Sequence, residues 1–178
     1  ASVLLMIATL GLRPDLIEAA RLPMFWFKCA FAASLAAASL VMVARLSRPG
    51  APLGRAPTAL ASPLLVVWLL AALTLVIAAP EQRAEMLFGD TWTLCPLLIA
   101  MLAMALLAGA LWAVSGLAPT RLRLAGAASG LLAGALATLV YCVHCPEMAA
   151  PFIAVWYVAG IALPTVLGAL LGPRLLRW

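Results

Sequence analysis

The chain has 178 residues, of which 67% are hydrophobic and 10% charged, with a mean hydropathy of +1.17, a usage that excludes a soluble domain. A net charge of +5 would suit a nucleic-acid partner, but the arginines are scattered through connecting segments and form no basic face, so no direct nucleic-acid contact is expected. At roughly 20 apolar residues per crossing plus a short loop, the length supports about six transmembrane helices. Residues 1–178 therefore read as a single polytopic membrane domain, an all-α, integral membrane six-helix bundle with short loops.

In chain order, Ala1 to Leu12 is apolar but shorter than the roughly 17 residues a crossing needs, and it reads as the truncated end of a first helix. Charge-poor stretches then place spans at about 24–44, 59–79, 94–114, 124–143 and 152–172. Lys28 is the only charge inside them. It lies near one end of its span, where its stem can snorkel to the headgroups; the competing role is an electrostatic neighbour of nearby thiols. Pro63 and Pro164 predict local bends. In the span 124–143, Gly126, Gly130 and Gly134 recur every four residues, a flat stripe that predicts close helix packing within the bundle ahead of a dimer contact.

The charges of the connecting segments divide into two unlike sets when the segments alternate sides. One holds Arg45, Arg48, Arg55, Arg121, Arg123, Arg174 and Arg177 and no acid; the other holds Arg13, Arg21 and Arg83 with Asp15, Glu18, Glu81, Glu85, Asp90 and Glu147. The excess of arginine marks the first set as cytoplasmic, so both ends of the six-helix protein are expected inside the cell and the acidic hairpins outside, in the periplasm of a bacterial inner membrane. Asp, Glu and His are absent from the spans, which argues against ion-coupled carriers, proton pumps and intramembrane hydrolases; no small-molecule substrate is expected.

The side chains with chemistry gather on the acidic side. Tyr141-Cys142-Val143-His144-Cys145-Pro146-Glu147 closes one span, Cys95 opens another ahead of Pro96, and Cys29 lies just inside a third. With helical spacing Cys142 and Cys145 share a face, so both sulfurs can meet one ion or one oxidant. Cys95, beside a helix N-terminus, best fits the thiolate form that metal binding and disulfide exchange require. Thiols, His144 and Glu147 form a set suited to zinc, cadmium or cuprous copper, and the outer compartment also favours disulfides. Four cysteines allow three complete pairings, and spacing does not choose among them. No constitutive cofactor is expected; a soft metal ion would act as an inducer.

Trp92-Thr93-Leu94-Cys95-Pro96, His144-Cys145-Pro146-Glu147, Phe152, Trp156-Tyr157 and the closing Leu176-Arg177-Trp178 together resemble the NrsF family of membrane-bound negative regulators, along the whole chain. The resemblance implies a non-enzymatic, six-helix inner-membrane anti-sigma factor whose partner is an extracytoplasmic-function (ECF) sigma factor. It implies that Cys95 and Cys145 sense heavy metal or oxidative stress, and it carries no such warrant for Cys29 and Cys142. It also implies a cytoplasmic segment ahead of the first helix, expected to lie before residue 1 of this sequence. The sigma-facing surface is then expected in the loops bearing Arg45, Arg48, Arg55, Arg121 and Arg123. In such a sensor, joining Cys95 to Cys145 would shift helix packing through the glycine stripe. The rival readings are a quinone-linked membrane thiol-disulfide oxidoreductase, which would turn over a dithiol substrate, and a structural membrane subunit with inert cysteines.

Overall fold

The computed structural model describes Met6, Gly11, Arg13 and residues 15–177. The expected first helix therefore falls almost entirely outside the described residues, as does Trp178. The described residues form helices only: α1 (Leu16–Ala19), α2 (Pro23–Leu46), α3 (Ala56–Ile77), α4 (Pro80–Phe88), α5 (Cys95–Ser115), α6 (Leu122–Tyr141) and α7 (Ala150–Leu175). Five of these, α2, α3, α5, α6 and α7, are long and apolar enough to cross a membrane. The short α4 was not anticipated. It is polar and nine residues long, so it carries neither a span's hydropathy nor an amphipathic run long enough to read.

Proline starts most of these elements. Pro23, Pro57, Pro80, Pro96 and Pro151 sit in the first turns of α2, α3, α4, α5 and α7, where the missing N–H leaves no hydrogen bond unmade. Gly89, with φ of +51°, ends α4 in a conformation that disfavours other residues.

The bundle is built around α6, whose apolar stretch is 61% buried, against 17% for the peripheral α3. Helix α6 touches α2, α5 and α7, and its contact with α7 is the most extensive in the molecule. The glycine stripe makes that contact. A side chain at Gly126 would collide with the Gly168 carbonyl and one at Gly130 with the Pro164 carbonyl, while one at Gly134 would come within 3.0 Å of Ile161 Cα. From the other side, Gly168 and Gly172 of α7 present their own bare backbones to Gly126 and Leu122. Where lipid removes the apolar driving force between helices, this backbone-to-backbone approach supplies dispersion contacts instead. The stripe faces α7, so it does not lie between the helices that carry Cys95 and Cys145, as the sequence suggested. The buried hydroxyls of Ser129 and Thr138 are satisfied within α6, by the carbonyls of Ala125 (2.9 Å) and Gly134 (2.8 Å).

Near its start α7 makes one π-helical turn, Ile153–Tyr157. The wider turn presents the Ala154 carbonyl to the Trp68 indole at 3.1 Å. It also places Trp156 outward, its indole donating to the Leu87 carbonyl at 2.8 Å, and Tyr157 inward, fully buried.

Candidate thiol site

All four cysteines lie at one end of the bundle as free thiols, in two contacting pairs. Cys95, the first residue of α5, is hydrogen-bonded to Cys145; Cys29, in the second turn of α2, is hydrogen-bonded to Cys142. Helix α6 ends at Tyr141, two residues earlier than the sequence indicated, yet the Cys145 amide still donates to the Tyr141 carbonyl at 3.0 Å. One further turn thus follows the helix and keeps Cys142 and Cys145 three residues apart on it. Their sulfurs nevertheless take different partners, Cys29 and Cys95, where the spacing had suggested one shared ion or oxidant.

The 142–149 segment is held by cations. Lys28 Nζ, in a fully buried side chain, donates to the carbonyls of Cys145 (2.8 Å) and Glu147 (3.3 Å). Snorkelling to the headgroups, the first role expected of Lys28, is therefore corrected: its stem runs inward, because two backbone acceptors there replace the water a buried ammonium would otherwise need. Arg13 reaches the same Cys145 carbonyl at 3.4 Å, its amide donates to the Val143 carbonyl at 3.3 Å, and its guanidinium pairs with Asp15 at 2.6 Å. That hydrogen-bonded pairing holds the Asp15 carboxyl below its ordinary range.

His144 and Glu147 are tethers. His144 Nδ1 lies 2.9 Å from the Gly11 carbonyl, and its ring packs on Tyr141. The Glu147 carboxylate accepts from the Asp90 amide (2.9 Å) and the Thr91 hydroxyl (3.3 Å), so it latches this segment to the turn after α4. A side chain at Gly89 would stand 2.6 Å from the Glu147 carboxylate oxygens, a second reason for glycine there. Among the described residues, no three of His, Cys, Asp and Glu approach closely enough to hold a metal ion together.

Two tyrosines complete the site, and neither was assigned a role from sequence. Tyr141, buried at the end of α6, hydrogen-bonds to Cys95 and Cys145. The Tyr157 hydroxyl, fully buried, has no hydrogen-bond partner and lies close to the Cys145 sulfur. Within this contacting pair the thiolate is favoured at Cys145, where donors gather. The Cys95 thiol first, then the Tyr157 hydroxyl, the Glu147 amide and Lys28 nearby, favour the charged sulfur of Cys145 and bring its pKa down to about 6 against the opposing effect of burial. Cys142 behaves oppositely: its hydrogen bond with Cys29, then burial, push its thiol well above the ordinary value.

At the other end, Arg45, Arg48 and Arg121 line a cleft of about 170 Å³. Arg45 donates to the Pro52 carbonyl at 3.0 Å. Arg55 and Arg123 belong to the same acid-free end, at the starts of α3 and α6.

The chain is similar along its whole length to known proteins. A protein of Azospira oryzae named probable anti-sigma-F factor NrsF is 54% identical over 177 residues, covering 99% of this chain and 83% of that protein. The anti-sigma-F factor NrsF of Caulobacter vibrioides is 38% identical over 180 residues, covering 100% of this chain and 84% of that protein. No solved structure matches. The family described as negative regulator of sigma F matches residues 1–178, so this chain, with its paired thiols at one end and its arginines at the other, belongs to the NrsF family.

Proposed function

We propose that the protein is an inner-membrane anti-sigma factor that holds an ECF-type sigma factor against its arginine-bearing end and releases it when the thiol end detects oxidant or soft metal. The observation that carries this reading is the contact between Cys95 and a Cys145 whose thiolate is favoured, in a chain whose relatives are named anti-sigma-F factors. The excess of arginine at that end supports a cytoplasmic position for it and a periplasmic one for the cysteines. A thiolate beside a thiol is two electrons from a disulfide, and the same two sulfurs are a soft donor pair. Cuprous copper, content with two thiolates, suits that pair better than zinc, which asks for four ligands.

The link to the far end is mechanical. Cys95 starts α5 and Cys145 follows α6, so joining their sulfurs fixes the two helices at one end and biases the connection between them at the other, which carries Arg121. Regulation of this kind needs about 1–3 kcal/mol of coupling between the ends.

Co-purification of the protein with its sigma factor, before and after peroxide or cuprous ion, tests the reading. The wild type should release the sigma factor, and Cys95→Ser and Cys145→Ser should retain it under both stimuli. Release at the wild-type level from both variants would refute the sensor assignment.

A further inference from the structure

The proposed sensing pair is sealed from solvent. Cys95 and Cys145 are both 0% exposed, as is Cys142, whereas Cys29 is partly exposed. We propose that Cys29 and Cys142 form a second redox pair that carries oxidising equivalents inward to Cys95 and Cys145 by thiol-disulfide exchange. The inference rests on the reading of Cys95 and Cys145 as the sensing pair.

Three structural links make the path continuous. Cys29 contacts Cys142 between α2 and the end of α6. Cys142 and Cys145 are separated by the single turn that follows α6, a spacing that brings Cβ atoms to about 5–6 Å, so a local backbone adjustment of that turn brings them within reach of a disulfide. Cys145 contacts Cys95. Lys28 lies beside three of these sulfurs, those of Cys29, Cys142 and Cys145, and its charge favours whichever of them carries the negative charge during exchange.

The sequence of steps balances with a peroxide as oxidant. The Cys29 sulfur takes one peroxide oxygen and becomes a sulfenic acid, while the O–O bond breaks and the other oxygen leaves as water or alcohol. Cys142 attacks the Cys29 sulfur; an S–S bond forms, and the hydroxyl leaves as water with the Cys142 proton. Cys145 attacks the Cys142 sulfur and expels Cys29, which takes up the proton that Cys145 releases. Cys95 then attacks Cys145, and Cys142 departs with the Cys95 proton. Cys95 and Cys145 have lost two electrons to the peroxide, and Cys29 and Cys142 are thiols again.

The test uses the full chain in detergent, hydrogen peroxide as the probe, an acid quench and mass spectrometry of alkylated and disulfide-linked peptides. Formation of the Cys95–Cys145 disulfide should slow by at least about tenfold in Cys29→Ser and in Cys142→Ser, since each removes one exchange partner. In Cys142→Ser, sulfenic acid at Cys29 should also persist long enough to be trapped by dimedone. Cys29→Ala guards against misfolding: it should be as slow as Cys29→Ser while keeping the wild-type melting temperature. A wild-type rate in Cys142→Ser or in Cys29→Ala overturns the relay. Disulfide formation that follows this pattern without release of the sigma factor supports the relay and overturns the sensor reading instead.

Discussion

The two ends of the bundle use their polar groups in opposite ways. At the thiol end, Lys28, Arg13, His144, Glu147 and Trp156 are each spent on a contact within the chain, most of them on backbone atoms far away in sequence. At the arginine end the cleft opens outward, and the one ion pair among the described residues lies elsewhere, between Arg13 and Asp15. The first arrangement fixes geometry, which suits the proposed redox site. The second leaves charge available, which suits the proposed docking of a sigma factor there.

Substitutions that remove polar groups at each end should separate the two roles. Lys28→Met keeps the length of the side chain but strips a donor from the buried carbonyls of Cys145 and Glu147, and thermal unfolding in detergent should show a loss of about 2 kcal/mol. Tyr157→Phe should change stability little, because its hydroxyl has no nitrogen or oxygen partner to lose. Its effect falls on the thiolate. Without that hydroxyl beside it, the midpoint of Cys145 rises from about 6, so thiolate absorbance at pH 7 decreases and the thiol form gains ground as pH falls through a higher value. The smallest effect on stability, within about 0.5 kcal/mol, is expected for Arg48→Ala combined with Arg121→Ala, which should instead weaken sigma-factor binding by about tenfold. A loss of stability there comparable to that of Lys28→Met would erase the contrast between the ends.

The spans were legible because lipid imposes a demand that shows in every window: long runs without charge. Helices α2, α3, α5, α6 and α7 each fall within a few residues of where those runs lie. The glycine stripe was legible for the same kind of reason, a period that puts three bare positions on one face; its partner, α7, was not, since Gly168 and Gly172 are unremarkable until Gly126 is placed against them. The thiol site was legible in its residue types and obscure in its pairing. Nothing local says that Cys142 turns to α2 while Cys145, three residues on, turns to α5. Lys28 was ambiguous because a snorkelling lysine and a clamping one look alike in sequence; only the distant carbonyls it meets decide. Tyr157 was hidden by its setting, a tyrosine in an apolar run, brought inward by a π turn that composition does not announce.

The glycine seam bears on what can move. Helices that meet backbone to backbone along Gly126, Gly130, Gly168 and Gly172 have no side-chain cushion in which to slide or roll, so α6 and α7 behave as one slab. Both thiol pairs straddle the edge of that slab. Cys142 and Cys145 are fixed to it, while Cys29 belongs to α2 and Cys95 to α5. Each disulfide would therefore moor one outlying helix to an immobile centre, and each reduction would cast it off. The redox state of the site is then a count of moorings, between zero and two, set by sulfur atoms alone.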